Sequence, residues 1–429
     1  MERSPTFADA VAAPRHSWPE ASELLGRVAL VRRRTVELCA PLTVEDQCIQ
    51  PIASASPSKW HLAHTTWFFE NFVLGRAGDE VFDPAFGFLF NSYYEAIGPR
   101  VPRARRGMLS RPGLDRIHAY RAHIDRRVAA LSARELDAET RARIELGVQH
   151  EQQHQELILT DLKAVLGTQP TRPAYRGDLK RDRPGRDAGA IRWHTFGESI
   201  AEIGAPATGF AFDHERPRHR VLVEPFRIAS RPISNAEVLG FIADGGYRDP
   251  RHWLSAGWDA VRAAGWTAPA YWEIRAEGAA HYDLTGMRAV DPTAPACHLS
   301  YYEADAIARW SGGRLPTEVE WEVAVARAPA RGNFLDDDRL HPCSSTSAEL
   351  DQMFGDVWEW TSSSYAPYPG FRPMAGALGE YNGKFMSGQH VLRGGSCLTP
   401  CDHVRASYRN FFSPGTRWQM TGARIATDA

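Results

Sequence analysis

Lysine is scarce in this chain of 429 residues. Lys59, Lys163, Lys180 and Lys384 are the only four, and arginine supplies the remaining positive charge. The 50 basic residues are balanced by 52 acidic ones, for a formal charge of −2. The positive excess that a nucleic-acid surface needs is therefore missing. Long apolar runs are missing as well. No stretch approaches the roughly 18 residues of a membrane span, and "MERSPTFADAVAAPRHSW" carries charge and proline where a secretory signal would be apolar. Cysteine is sparse: there are six, and Cys297, Cys343, Cys397 and Cys401 show no CxxC pairing. A disulfide framework is excluded on that count. These absences leave a cytoplasmic chain with reduced thiols and with neither a nucleic-acid nor a membrane partner as the expectation.

Helical periodicity fills the first 170 residues. "SWPE" at 17–20 has the form of a capping box, and Leu24, Val28 and Val31 follow on one helical face. A second helix is predicted from Ser56-Pro57 through "SKWHLAHTTWFFENFVLG", with proline in its first turn. A third follows Pro112, where Leu114, Ile117, Ile124, Val128 and Leu131 recur, and a fourth covers about 137–166. Four amphipathic helices with one long connection near 75–111 predict a four-helix bundle over 1–170. Residues 171–192 are dense in Arg, Asp, Gly and Pro and are expected to be a linker. From 193 to 429, short apolar pieces alternate with Gly-, Pro- and Trp-rich loops, and helical signals are confined to about 235–243, 301–310 and 317–326. That texture predicts a loop-rich α+β domain.

The fourth helix contains "HEQQH", a literal HExxH, at 150–154. Residues four apart lie on one helical face, so His150 and His154 can hold one ion from successive turns. Leu146, Leu157 and Asp161 share this face and turn it towards the bundle. A zinc-protease reading needs a third ligand. The extended HExxHxxGxxH form fails, because Leu157 stands at its glycine and Thr160 at its last histidine. A third imidazole is present in "SPSKWHLAHTTWFFE", where the stripe of Trp60, His64 and Trp67 favours His64 over His61 as the inward one. Three neutral imidazoles leave open positions that suit iron and redox chemistry as well as hydrolytic zinc.

The motifs "WHLAHTTWFFE", "FNSYYEAIGPR", "HEQQHQEL", "GGRLPTEVEWE", "FGDVWEWTSSSYAPYPGF" and "VLRGGSCLTP…SYRNFF" occur in this order along nearly the whole chain. Together they resemble the sulfoxide synthases of ergothioneine biosynthesis. The resemblance implies a multidomain α and α+β chain: a DinB-like four-helix bundle followed by a formylglycine-generating-enzyme-like, or C-type-lectin-like, domain. It implies an Fe(II)- and O2-dependent enzyme that joins the sulfur of a thiol to C2 of the imidazole of hercynine and oxidises that sulfur to a sulfoxide. The iron ligands it implies are His64, His150 and His154, and Glu151 then has no role as a protease base.

The same resemblance implies further roles. Tyr93 and Tyr94, in "NSYY", are candidates for the catalytic proton donor, with Tyr381 in "GEYNGKF" a weaker one. Gln153 would hydrogen-bond the substrate imidazole. Asn410 would meet the carboxylate or ammonium end of hercynine, and Phe411 and Trp418 would wall its quaternary ammonium. Arg103 and Arg106 match a pair that binds the thiol substrate, a task suited to the guanidinium fork. Relatives that use γ-glutamylcysteine carry "RNWD", whereas this chain has "RNFF". Phe412 thus removes a partner for a free ammonium, which favours L-cysteine as the donor. The alternatives are γ-glutamylcysteine or a selenium donor with the same chemistry, a zinc-dependent DinB-type hydrolase or thiol transferase, and a non-catalytic lectin-like module. Formylglycine-generating enzymes themselves bind copper through two cysteines spaced by five. Cys397 and Cys401 are spaced by four, so that activity is not expected.

Overall fold

The apolar periodicity of the N-terminal region is realised as helices that meet in one buried seam. The computed structural model describes residues 20–75, 81–133, 135–180, 189–329, 331–345 and 349–429; Ser17 and its expected capping box lie outside these. Helix α1 (Ala21–Cys39) buries Leu24, Leu25, Val28, Val31 and Leu38 at helical spacing. Helix α2 (Ser58–Phe68) starts after Pro57 and is buried on every side. It runs into a π-helical turn, Phe69–Val73. Helix α3 (Leu114–Ala129) buries Ile117, Tyr120, Ile124 and Val128 and ends in a 3-10 turn that takes Leu131 out of the helix. Helix α4 (Ala138–Thr168) begins where the Asp137 side chain accepts from the Thr140 amide at 2.6 Å. Its 31 residues make it about 46 Å long. α1 and α2 both pack on α4, and α3 packs on α2.

The chain forms two compact units. The first takes the described chain up to Gln169 together with Pro206–Asp213 and Phe371–Lys384; the second comprises Pro170–Ala205, His214–Gly370 and Phe385–Ala429. Two short stretches from far along the sequence thus belong to the helical unit. Asn382 donates to Asp213 at 2.8 Å, tying one stretch to the other. Glu380 accepts the amides of Glu95 and Ala96 at 3.0 and 2.8 Å, tying them to the "NSYY" loop.

In the second unit a four-stranded sheet orders the strands Asn410–Phe412, His390–Arg393, Trp358–Ser364 and Thr421–Ala423. Helices at Asn235–Ala243, Tyr301–Trp310 and Glu318–Val325 each start with a reciprocal Ser/Thr–Glu capping box. The motifs "GGRLPTEVEWE" and "FGDVWEW" build this core. Trp321 donates to Glu359 at 2.8 Å, and Glu359 pairs with Arg424 at 2.9 Å, both fully buried. Gly394 has φ +98, and a Cβ there would lie 2.5 Å from the Met353 carbonyl, so this turn accepts only glycine. The stretch expected to be a linker is described at 171–180 and 189–192, while 181–188 lie outside the described residues. Its first part is fastened within the second unit: the Tyr175 amide donates to Leu284, Tyr282 donates to Pro173, and Arg176 forks Asp338 at 2.8 and 2.9 Å.

Candidate metal centre

Helix α2 and one face of α4 bring His64, His150 and His154 together, with one ligand atom from each lying within 4.8 Å of the others. All three are buried, at 1, 1 and 8 % exposure. Burial pushes His150 down to about 3 and lowers His64 and His154 well below the ordinary imidazole value, with His150 adding to the effect on both. Three neutral imidazoles result, which is the protonation state a metal requires of its histidines.

The surroundings fix these rings. His64 Nδ1 lies 2.6 Å from the Phe90 carbonyl and therefore donates, which leaves Nε2 as its lone-pair nitrogen. The His64 ring stacks on Trp60 with centroids 4.5 Å apart and on Trp67 at 5.6 Å. His150 stacks on Phe68 at 4.3 Å, and among the described residues neither of its ring nitrogens has a hydrogen-bond partner. A buried polar atom left bare is costly unless a ligand completes it. This donor set fits a metal ion.

Glu151 is adjacent in sequence to His150 but belongs to a different structure. It accepts from Arg32 at 2.8 Å and from Arg121 at 2.7 Å inside the bundle. Arg32 also bonds Thr66 and Asp125, and Arg121 bonds Thr65, Thr66 and the Leu62 carbonyl. Burial opposes the ionised carboxylate, yet Arg121 and Arg32 outweigh it and hold Glu151 down to about 2. A carboxylate engaged in this way is not a general base, so the protease reading loses its base.

Three tyrosines form a cluster that reaches the histidines through Tyr381. The buried Asn91 side chain donates to the Tyr94 and Gly98 carbonyls at 3.0 and 2.8 Å and shapes the "NSYY" turn. Tyr93 and Tyr94 sit with centroids 4.7 Å apart, and burial raises the proton affinity of both. Tyr94 is fully enclosed against Trp67 and Phe72. Tyr381 stands edge-on to His150 at 5.8 Å and to Tyr93 at 6.1 Å, stacks on Phe212, and donates to Gln153 Oε1. Gln153 is thus tied to Tyr381 between the turns that carry the two α4 histidines.

Arg103 and Arg106 open the 3-10 turn Arg103–Met108. Arg103 is exposed. Arg106 is buried, lies flat on Trp60 with its guanidinium carbon 3.4 Å from the ring centroid, and donates to Ser56 Oγ at 2.9 Å. Among the described residues it forms no ion pair. Asn410, Phe411 and Trp418 belong to the second unit. There Phe411 stacks on Tyr365 at 4.0 Å, and Trp418 meets Phe412 at 6.1 Å. Among the described residues the four cysteines of that unit form no disulfide, with Cys397 buried and Cys401 exposed. No helix of the described residues is long and apolar enough to cross a membrane.

Sequence reasoning did not anticipate the roles of Arg32, Arg121 and His61. His61, set aside in favour of His64, lies 2.8 Å from His154 and 3.1 Å from Asp161 through its two ring nitrogens. The one available signal was that Asp161 shares the face of His154.

Comparison with known proteins defines the class first. Residues 27–158 match the DinB superfamily model, and residues 197–352 and 344–429 match the sulfatase-modifying factor enzyme 1-like domain. The chain is therefore a DinB-like helical region joined to a formylglycine-generating-enzyme-like region. It is 34 % identical over 445 residues to the hercynine oxygenase of Mycolicibacterium thermoresistibile, covering 96 % of each chain. It is 33 % identical to the hercynine oxygenase of Mycobacterium tuberculosis, covering 95 % of this chain and 99 % of that one. The formylglycine-generating enzyme of Streptomyces coelicolor shares 30 % identity over 62 % of this chain and 97 % of its own. The chain belongs to the hercynine oxygenase family, and it is an enzyme of the oxidoreductase class.

Proposed function

We propose that this enzyme uses Fe(II) and O2 to join the sulfur of L-cysteine to C2 of the imidazole of hercynine, giving hercynylcysteine sulfoxide and water. The balance requires loss of the thiol and C2 hydrogens, with one oxygen atom going to sulfur and the other to water. The observation that carries the reading is the buried triad of neutral imidazoles, one with both nitrogens bare, in a chain similar over its length to hercynine oxygenases. Iron bound there would supply the redox chemistry that activates O2, which zinc lacks.

The protein residues then divide the remaining work. Gln153, steadied by Tyr381, presents its amide to the substrate imidazole beside the α4 histidines. The hydroxyls of Tyr93 and Tyr94 handle the proton exchanged at the reacting centre, and burial keeps them protonated for that purpose. Arg106, a buried cation with no carboxylate of its own, receives the carboxylate of the thiol, with Arg103 beside it in the turn. For the carboxylate and ammonium ends of hercynine, the assignment to Asn410, Phe411 and Trp418 rests on the motif match alone. The preference for cysteine rests on Phe412 standing where an acid would pair with a glutamyl ammonium.

The test is a competition. Enzyme loaded anaerobically with Fe(II) receives hercynine with equal cysteine and γ-glutamylcysteine, then O2, and products are weighed by mass spectrometry. Hercynylcysteine sulfoxide is the expected product. A γ-glutamyl sulfoxide would overturn the donor assignment and keep the reaction; absence of any sulfur adduct would overturn the reaction.

A further inference from the structure

Asp161 lies seven residues beyond His154 on α4, two turns along the same face. Its Oδ2 accepts the Ser56 amide at 2.7 Å and lies 3.1 Å from His61 Nε2. The other nitrogen of His61, Nδ1, lies 2.8 Å from His154 Nδ1. Asp161, His61 and His154 are all buried.

Counting hydrogens along this chain leaves a single solution. A carboxylate only accepts, so His61 carries its proton on Nε2 and donates to Asp161. A neutral His61 then offers Nδ1 as an acceptor. His154 must therefore carry its own proton on Nδ1, which leaves Nε2 as its lone-pair nitrogen. His64 reaches the same state through the Phe90 carbonyl, whereas His150 has no such support.

We propose that His61 and Asp161 are positioning residues of the metal centre: a carboxylate–imidazole relay that fixes His154 as an Nε2 ligand and holds its ring at the angle the ion needs. The inference rests on the three-histidine reading above. The relay ends near the arginine turn, because the Ser56 whose amide reaches Asp161 also receives Arg106 at its hydroxyl.

The experiment is an anaerobic titration of the full-length apo-protein with Co(II) alone, against a competing chelating dye. It records both affinity and the visible ligand-field spectrum, with thermal unfolding of each apo variant as the control for folding. His61→Leu should weaken Co(II) binding about 10–100-fold and shift the spectrum. His61→Asn, whose amide oxygen can accept from His154 Nδ1, should return affinity to within about threefold of wild type. Asp161→Asn should fall between them, since a neutral amide is the weaker acceptor. A folded His61→Leu protein with wild-type affinity and spectrum overturns the relay, as does a loss that His61→Asn does not relieve. If His61→Leu does not fold, Asp161→Asn decides, and an unchanged affinity and spectrum there overturns the proposal. Wild-type protein that binds Co(II) no better than His150→Ala overturns the three-histidine reading, and the relay with it.

Discussion

Residues 150 and 151 are neighbours on one helix, equally buried and equally polar, yet they have opposite fates. Glu151 turns about 100° away from His150 into Arg32 and Arg121, where both of its carboxylate oxygens are bonded. His150 faces Phe68 and the other histidines with both ring nitrogens bare. A buried polar group with every bond made by the protein contributes to the fold. One kept in place by packing alone, with its lone pair unspent, is poised for something the fold does not contain. Burial and polarity do not separate the two cases; hydrogen-bond completeness does.

The contrast can be broken most directly at its two ends. His150→Ala should abolish metal binding and reduce sulfoxide formation to background, with little loss of stability; retained iron in the purified variant, measured by elemental analysis, would break the comparison on its functional side. Next in size is the pair proposed to handle the proton. Tyr94→Phe or Tyr93→Phe should lower kcat about 10²–10⁴-fold if that residue is the donor. Wild-type kcat in both variants would move the proton donor to another residue.

Glu151→Ala should leave two arginines buried without their partner and destabilise the protein by about 3–5 kcal/mol. Denaturant unfolding checks this, and the folded fraction should still bind metal. The two faces should also separate by pH in the apo-protein. His61, His64, His150 and His154 all titrate below the ordinary value of 6.5, because burial favours their neutral forms. Their contribution to stability is present above pH 6.5 and is lost as the pH falls, at about 1.4 kcal/mol per pH unit for each histidine that is protonated only when unfolded. Glu151, held to about 2 against an ordinary 4.5, contributes in full above pH 4.5 and loses that contribution progressively as the pH falls from 4.5 to about 2. Stability of the apo-protein that stays flat between pH 7 and 5 would contradict the histidine part. The smallest effect is expected from Tyr381→Phe. It removes one hydrogen bond to Gln153 and should cost up to about tenfold in kcat/KM for hercynine, with metal affinity unchanged.

Much of the helical unit was legible because α1, α3 and α4 display their buried residues at helical spacing, and because two histidines four apart must share a face. The domain order and the helices of the second unit were legible through motifs, turn residues and capping boxes. What could not be read there depends on which elements meet. α2 is buried all round, so no stripe of residues marks its orientation, and only the aromatic neighbours of His64 gave a hint. Arg32 occupies a core position in α1 and reads locally as a solvated charge; its partner is on α4, 119 residues away. The expected linker was read from its density in Arg, Asp, Gly and Pro, and in its first part the Arg176 side chain and the Pro173 carbonyl are bonded within the second unit.

The helical unit takes in Pro206–Asp213 and Phe371–Lys384. Protein synthesis proceeds from the N-terminus, and early helices can form as they emerge from the ribosome. Tyr381, which closes over His150 and Gln153, is made when most of the chain has already been produced. Completion of the centre therefore comes late in the life of the nascent chain, and a fragment released at residue 170 would carry all three histidines without the tyrosine that stands against His150.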